Sequence, residues 1–306
     1  MRVIIAGMGV QGRKRKEICG PEFVGFVDPY APDVTYKDIR EVPLDSYDAV
    51  LACIPDDPKV EMLRYCLSHG KHVLVEKPLV ATAADFAQLT ALAQANNAVC
   101  YTAYNHRFEP HFARMAELIR SGALGKIYSC RMFYGNGTAQ LVRESAWRDQ
   151  GAGVLPDLGS HLLDTCHFWF GDAVQGGAWN IVSANRFENR SPDHVVAQMA
   201  APDFRIELEM TLLMWRNHFT CDILAEKGTA HIESLCKWGP STFTHRTRIL
   251  PSGRPTEVQH VLTQPDPTWA LEYAHFKRLI AAKHRTDLAW DGALMGILDR
   301  LEETIV

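Results

Sequence analysis

The stretch RVIIAGMGVQG, residues 2–12, decides the fold of this chain. Its first half is a short apolar run rich in Val and Ile, which predicts a buried β-strand. Three glycines in the spacing G-x-G-x-x-G follow directly and open a helical segment. Glycines in this spacing make a tight turn, admit a pyrophosphate close to the backbone, and let the helix approach the strand. The stretch therefore predicts a dinucleotide site, the alternative being that the glycines only make a turn. The predicted cofactor-binding residues of this loop are Gly7, Gly9, Val10, Gln11 and Gly12.

Strands and helices alternate through the first third of the chain. Apolar segments predict strands, and segments with a three-to-four residue apolar period predict helices. Strict alternation of apolar strands with helices indicates a parallel sheet that is covered on both faces. The strands are expected at 2–7, 23–28, 48–55, 71–78 and 98–105, and the helices at 10–19, 59–70 and 82–97, the last with Thr82 as its N-cap.

The pattern changes after about residue 120. Long strands separated by short turns replace the alternation, which predicts an antiparallel sheet. The fold class is therefore α/β, with a parallel-sheet dinucleotide domain at 1–120 and an α+β domain with a mostly antiparallel sheet at 121–306. The expected strands are 126–135, 193–201, 204–216 and 219–234, the last divided by the turn EKG, and the expected helices are 110–122, 158–170, 268–284 and 291–305.

Composition excludes several classes of function. The 306 residues are 47% hydrophobic and 22% charged, as in a soluble globular protein with room for two cores. The net charge of −4 gives no basic footprint for nucleic acid, and no apolar run approaches the about 20 residues that span a bilayer. The first residues are too short an apolar run for a signal peptide, so a cytoplasmic protein is expected. The eight cysteines are scattered without a C-x-x-C pair, which favours reduced core residues over a zinc or disulfide framework.

Asp28 bears on the choice of cofactor. It ends the second predicted strand about 20 residues after the glycine motif, where a carboxylate accepts hydrogen bonds from ribose hydroxyls. A carboxylate at that point repels a 2′-phosphate, so NAD is favoured over NADP. The basic run at 13–16 predicts a solvated helix face, with help in phosphate binding as the alternative.

The stretch GKHVLVEKPL, residues 70–79, ends an apolar strand on two opposite charges. Ligands of open parallel sheets bind beyond the carboxyl ends of the strands, which is where Glu76 and Lys77 fall. Pro78 disfavours helical backbone angles at Lys77 and directs it away from the sheet. The motif predicts a lysine near the nicotinamide half of a cofactor; the alternative is a surface ion pair.

These motifs, together with YNHRFEP (104–110) and WRDQGAGVLPDLGSHLLD (147–164), resemble the glucose–fructose oxidoreductase, inositol dehydrogenase and rhizopine catabolism family, Gfo/Idh/MocA. The resemblance implies a Rossmann domain followed by a domain with an open, mostly antiparallel sheet. It implies NAD(P)-dependent oxidoreductases, mostly of sugars, cyclitols and sugar nucleotides, that form homodimers or homotetramers through the open sheet. It places the family's catalytic residues on Lys77, Asp157 and His161, and makes Pro78 a cis proline. A histidine that is common in the family is replaced by Lys59.

The chemistry of alcohol oxidation gives each of these residues a role. A base with a pKa near 7 has to take the hydroxyl proton, and His161 is that predicted base. Lys77 is expected to stabilise the oxygen as C–O becomes C=O. Asp157, four residues before His161 at a helix start, is expected to orient the substrate or to raise the basicity of that histidine.

Further positions are predicted less directly. Pro55, Glu76, Lys77 and Arg148 are expected to contact the cofactor, and Lys77, Asn105, Asp157 and His161 the substrate. Arg107 is a candidate for a cofactor or substrate contact, and the alternative for it and for Asn105 is a role in loop structure. Trp147 precedes Arg148 in its motif. Asp164 is interpreted as a surface or domain-contact carboxylate and His167 as a core or interface histidine. Read with Asp157 and His161 they would make a metal site, but that leaves Lys77 and the glycine loop without a role.

The predicted function is hydride transfer between NAD(P) and a secondary alcohol or ketone of a sugar, cyclitol or sugar nucleotide, without a metal. Two alternatives stay open. One is a reductase of a non-sugar carbonyl or conjugated small molecule. The other is a sensor that binds NAD(H) without turnover, although a sensor has no need of the acid–base set formed by Lys77, Asp157 and His161.

Overall fold

The computed structural model describes residues 1–145 and 148–305, and these divide into two compact units. The first unit contains Met1–Asn105 and Thr268–Met295, and the second contains His106–Pro267 and the residues from Gly296 onward. The sequence placed the boundary near residue 120 and assigned 268–295 to the second domain. The segment joins the first unit because Tyr273 and Phe276 pack into the core of its sheet.

The first unit alternates strands and helices, as predicted. The elements are β1 (Val3–Ala6), α1 (Val10–Cys19), β2 (Phe23–Val27), β3 (Ala49–Ala52), α2 (Lys59–Ser68), β4 (His72–Glu76), α3 (Ala83–Ala95) and β5 (Cys100–Ala103). In the described residues its five strands pair in parallel, in the order β2-β1-β3-β4-β5. Thr82 and Asp85 form a capping box at the start of α3, which confirms the predicted N-cap.

The second unit is built on a larger sheet. Its elements are α4 (Pro110–Arg120), β6 (Ile127–Gly135), α5 (Ala139–Arg143), α6 (Ser160–Phe170), α7 (Asp172–Gln175), β7 (Trp179–Asn185), β8 (His194–Ala201), β9 (Phe204–Thr211), β10 (His218–Ala225), β11 (Gly228–Glu233), β12 (Ser241–Thr247) and β13 (Thr256–Leu262). The described strands lie in the order β13-β12-β11-β10-β6-β9-β8-β7. Among them β6 and β9 run parallel, and the other neighbours are antiparallel. The predicted fold class is therefore confirmed.

Two closing helices follow, α8 (Thr268–Ala281) and α9 (Ala289–Glu302). The predicted strand at 204–216 was too long. It ends at Thr211 because Leu212 and Met214 donate instead to the carbonyls of Asp193 and Asn136. Strands β12 and β13 were not predicted from the sequence.

Two features of composition can be checked on the described residues. All eight cysteines are among them; none forms a disulfide, and seven are buried, in agreement with the prediction of reduced core residues. No helix within this part of the chain is both long enough and apolar enough to cross a bilayer.

Candidate active site

The glycine loop joins β1 to α1 in the first unit. Gly7 has φ +92°, and a Cβ there would stand 2.3 Å from the Cys53 carbonyl oxygen. A Cβ on Gly12 would stand 1.9 Å from the Gly7 carbonyl oxygen. A Cβ on Gly9, by contrast, would have no described atom within 4 Å. The fold itself thus requires the first and third glycines, whereas the second leaves open space beside exposed backbone.

The N-terminus of α1 faces that space. Gly9 is the N-cap, and in the described residues no side chain hydrogen-bonds to the cap and no acidic residue lies in the first turn. The N–H groups that a helix leaves unsatisfied at its start are a binding site for a phosphate. Val10 and Gln11, both exposed, form the first turn. The loop therefore fits the pyrophosphate of a dinucleotide.

Asp28, directly after β2, is already held by the backbone. Its Oδ2 accepts from the Met8 N–H at 2.8 Å, and its Oδ1 accepts from the N–H groups of Tyr30 and Ala31 at 2.9 and 3.0 Å. Partial burial acts to raise the pKa of this carboxyl, but the three hydrogen bonds and the charge of Lys37 outweigh it, so that its pKa lies below the ordinary value. Asp28 therefore carries a full negative charge at neutral pH beside the glycine loop.

The other predicted residues of the first unit follow neighbouring strands. Pro55 is exposed in the loop after β3, Glu76 ends β4, and Asn105 comes two residues after β5. Because these strands are parallel neighbours, the three positions and the glycine loop share the carboxyl edge of the sheet. Lys77 is half-buried at this edge, and its peptide bond to Pro78 is cis, as the family resemblance implied.

Two of these side chains are tied into the unit. The Asn105 amide donates to the Thr268 hydroxyl at 2.9 Å, and Asn105 is buried. The Glu76 carboxylate accepts two hydrogen bonds from Arg15, at 3.0 and 2.8 Å. Arg15 is fully buried, so the prediction of a solvated basic face at 13–16 was wrong at that residue. Burial acts to lower its pKa, but Glu76 and Glu272 raise it above the ordinary value, and the guanidinium stays charged.

In the second unit, Asp157 lies in a π-helical turn, Leu155–Gly159, that runs directly into α6. The Asp157 carbonyl accepts from the Ser160 hydroxyl at 3.2 Å. The predicted helix near 158–170 is thus present, but its first turn is wider than an α-helix. Wide turns of this kind occur often at functional sites because they re-aim side chains.

The Asp157 carboxylate lies near a predicted cofactor contact. Its Oδ2 is 3.5 Å from Nη2 of Arg148, and both side chains are partly exposed. His161, the second residue of α6, is also partly exposed. Its carbonyl accepts from the Thr165 hydroxyl at 2.8 Å, which anchors the backbone of this turn. Trp147, which precedes Arg148 in the motif, lies outside the described residues.

The His161 ring packs against aromatic and basic residues that were not predicted. It stacks on the His106 ring, with centroids 4.0 Å apart and planes at 18°. Tyr134, on β6, lies 6.3 Å from His161 and 5.5 Å from His106, ring centre to ring centre. Lys237 Nζ donates to the Tyr134 hydroxyl at 3.2 Å and lies 3.4 Å from His106 Nε2. Lys237 and Tyr134 thus flank the His106 ring on which His161 stacks.

The remaining acids and histidines of α6 have structural partners. Arg107 binds the buried Asp164 carboxylate through two hydrogen bonds, at 2.8 and 2.5 Å. Asp164 is therefore a buried ion-pair partner and not a surface carboxylate. His167 Nδ1 lies 3.3 Å from the Gly171 carbonyl oxygen, and burial lowers the pKa of this ring. Among the described residues no group of three or more His, Cys, Asp or Glu is placed to hold a metal ion.

The structure thus gathers the predicted residues into two sets, one in each unit. The first unit holds the glycine loop, Asp28, Glu76 and Lys77, and the second unit holds Arg148, Asp157 and His161. The convergence of Lys77 and His161 on one reacting oxygen stays a prediction.

Comparison with known proteins places the chain within one group. Residues 2–104 match the family described as "Oxidoreductase family, NAD-binding Rossmann fold", and residues 112–231 match the "GFO/IDH/MocA C-terminal domain". An uncharacterized oxidoreductase of Synechocystis sp. is 30% identical over 252 residues, which cover 76% of this chain and 67% of that protein. The scyllo-inositol 2-dehydrogenase (NADP(+)) of Bacillus subtilis is 28% identical over 138 residues, 44% of this chain and 38% of that protein.

A solved structure shares the fold. The inositol dehydrogenase homolog of Azotobacter vinelandii, complexed with NADH and myo-inositol, superimposes with a TM-score of 0.76 at 18% identity, covering 100% of this chain and 95% of that one. The chain spans less than half the length of several curated relatives, 37%, 48% and 39% in three of them.

Proposed function

The chain belongs to the Gfo/Idh/MocA family of oxidoreductases, and from that premise we propose that it is an NAD(P)-dependent dehydrogenase or reductase. Its reaction is hydride transfer between the nicotinamide and a secondary alcohol or ketone of a sugar, cyclitol or sugar nucleotide. The observation that carries the proposal is the glycine loop, where Gly9 leaves space beside the uncapped start of α1. Relatives named as inositol dehydrogenases support the substrate class.

The first unit would hold the cofactor. Backbone N–H groups at Gly9, Val10 and Gln11 would bind the pyrophosphate, and Asp28 would accept hydrogen bonds from the ribose. A carboxylate has about four acceptor positions, and three of those on Asp28 are taken by backbone donors. The charge of Asp28 supports NAD over NADP, because a 2′-phosphate would meet an ionised carboxylate.

The second unit would supply the proton chemistry. A bound cofactor would supply the nicotinamide that accepts or gives the hydride. His161 would take the hydroxyl proton during oxidation and return it during reduction, and Asp157 would orient the substrate. Arg148, beside Asp157, would contact the cofactor. Lys77 would stabilise negative charge on the substrate oxygen.

The eight-stranded sheet supports the proposal of a homodimer or homotetramer. Exposed apolar side chains lie on several of its strands, among them Leu224 on β10 and Val258 and Val261 on β13. Self-association through this sheet would cover them. Light scattering coupled to size-exclusion chromatography tests this: a monomer at micromolar concentration would refute it, and a Leu224→Glu variant should dissociate the oligomer.

Absorbance at 340 nm tests the function. The purified protein is incubated with NAD or NADP and a panel of cyclitols, sugars and sugar nucleotides, and with NADH or NADPH and either the matching ketones or a set of non-sugar carbonyl compounds. Turnover that is lost in His161→Asn supports the proposal. Turnover only on non-sugar carbonyls favours the alternative reductase, and NADH binding without turnover on any compound favours a sensor.

A further inference from the structure

The Glu76–Lys77–Pro78 turn is held on one side by a buried lysine. Lys59, at the start of α2, is 3% exposed. Its Nζ donates to Oδ1 of Asp56 at 2.6 Å, to the Glu76 carbonyl at 3.1 Å and to the Pro78 carbonyl at 3.2 Å. An ammonium has three N–H groups, so these three acceptors use all of them. Two of the three bonds go to the backbone immediately before and immediately after Lys77.

A buried arginine holds the same turn through a side chain. Arg15 Nε and Nη2 both donate to Oε1 of Glu76, and Nη1 donates to Oε2 of Glu272 on α8 at 2.7 Å. Glu272 is 0% exposed, and the Trp269 ring covers the guanidinium at 4.3 Å. Glu76 is therefore fixed twice, by Lys59 at its carbonyl and by Arg15 at its carboxylate.

Stability alone does not account for this arrangement. Removing charges from water is costly, and well-packed apolar side chains in their place are often equally or more stabilising. The charges lie at the carboxyl edge of a parallel sheet, where ligands bind and a small displacement of a reacting group is most harmful. Lys59 and Arg15 donate hydrogen bonds to β4 and to the turn that follows it. All of those described end on Glu76 or Pro78, the two residues on either side of Lys77.

We propose that Lys59 and Arg15 are positioning residues, a pair of buried cations that fixes the direction in which Lys77 leaves the sheet. The inference rests on the proposed function, in which Lys77 acts on the substrate oxygen. It assigns a role to Lys59, where this chain departs from the histidine common in the family, and to Arg15, which the sequence presented as part of a solvated basic run.

The experiment compares Lys59→Met with Lys71→Met as a matched control. Lys71 precedes β4, and its Nζ also binds two backbone carbonyls, those of Leu44 and Tyr47 at 2.6 and 2.9 Å. Both variants thus remove an ammonium that binds two carbonyls, but Lys71 lies at the end of β4 away from Lys77. Arg15→Lys is the third variant, because it keeps the charge but loses the fork that joins Glu76 to Glu272. Circular dichroism establishes that each variant is folded.

Two readouts are measured. The first is the rate at which Lys77 reacts with an amine-labelling reagent in the cofactor-free protein, followed by mass spectrometry across a pH series. The second is hydride-transfer kcat and the KM for NAD. In Lys59→Met and Arg15→Lys we expect a labelling rate changed by more than about threefold and kcat lowered about 10- to 100-fold, with the KM for NAD within about threefold, since a misplaced group costs rate. In Lys71→Met neither readout should move.

The outcomes separate this inference from the proposed function. If Lys59→Met and Lys71→Met change both readouts equally, Lys59 has no positioning role. If the labelling rate and kcat are unchanged in Arg15→Lys, Arg15 has none. If Lys59→Met does not fold, Arg15→Lys decides the inference. If Lys77→Ala retains wild-type kcat, the proposed function is wrong about Lys77. The labelling rates alone then confirm or overturn the inference that Lys59 and Arg15 fix the direction of Lys77.

Discussion

Replacing Arg15 by Met should destabilise the first unit more than any exposed substitution on α1. Arg15 has 1% of its side chain exposed, and its two carboxylate partners, Glu272 and Glu76, have 0% and 16%. Removing one partner of a buried ion pair costs roughly 3–5 kcal/mol, because a carboxylate is left in a dry site without its counter-ion. Because the variant leaves two carboxylates without the guanidinium, we expect a loss of about 4 kcal/mol in the free energy of unfolding at pH 7.

The pH dependence of that loss identifies its cause. In Arg15→Met the buried Glu272 carboxyl loses the guanidinium, and burial by itself acts to raise the folded-state pKa of a carboxyl above its unfolded value of about 4.3. A carboxyl whose folded-state pKa is raised stabilises the folded state fully only below its unfolded-state pKa. This stabilisation is lost as the pH rises through its folded-state pKa. The destabilisation should therefore shrink from pH 8 to pH 5. The double variant Arg15→Met/Glu272→Gln should recover part of the loss at pH 8.

Urea unfolding followed by tryptophan fluorescence and circular dichroism measures these differences. Arg13, exposed on the same helix, supplies the control: Arg13→Met should change stability by no more than about 0.5 kcal/mol. An Arg15→Met variant that is as stable as Arg13→Met would refute the reasoning. A loss of equal size at pH 5 and pH 8 would show that lost packing, and not buried charge, is responsible.

Three further predictions concern the cofactor and the chemistry. Gly9→Ala should weaken NADH binding, measured by fluorescence, at least about tenfold with little change in thermal stability. Gly12→Ala should lower both NADH affinity and thermal stability, because its Cβ would stand 1.9 Å from a carbonyl oxygen. Equal melting temperatures of the two variants would contradict this prediction. Asp28→Ala should weaken NAD binding and reduce the discrimination against NADP, and a wild type that prefers NADP would remove the basis for it. Because the folded-state pKa of Asp28 is lowered, its stabilising contribution is present above pH about 4 and is lost as pH falls, so wild type and Asp28→Ala should converge in urea titrations below that pH. Lys77→Ala should lower kcat by roughly 10²- to 10⁴-fold with nearly unchanged NAD affinity, and undiminished turnover would exclude Lys77 from the mechanism.

The parts of the fold that the sequence predicted are those fixed by local rules. The parallel sheet follows from apolar strands that alternate with helices, and the start of α3 follows from the side chain of Thr82. The return of α8 to the first sheet could not be predicted in this way. Its contacts, such as those of Tyr273 and Phe276, join residues far apart in the chain, and their apolar period suits either unit equally well.

The same limit applies to the candidate site. His161 and Asp157 were found because they share one motif, but Lys237 reaches His106 across 131 positions and carries no signal of its own. His106 lies between Asn105 and Arg107 in the motif YNHRFEP, but the sequence alone assigned it no role. Arg15 was misinterpreted because a run of four basic residues resembles a solvated face, and only the position of Glu272 on a helix more than 250 residues later reveals that one of them is buried.

The three glycines of the first loop separate what the fold requires from what a ligand requires. Gly7 and Gly12 lie so close to backbone carbonyls that a side chain on either would collide with the protein itself. Such glycines would be needed in this turn whether or not anything bound there. Gly9 has no such neighbour among the described residues, and a glycine is entropically costly where the fold does not need it. An alanine would also be compatible with its extended backbone, φ −72° and ψ −166°. The missing methyl group is therefore best explained by an external partner that approaches the uncapped start of α1, and the Gly9→Ala variant, stable but weak in NADH binding, is the direct measure of that explanation.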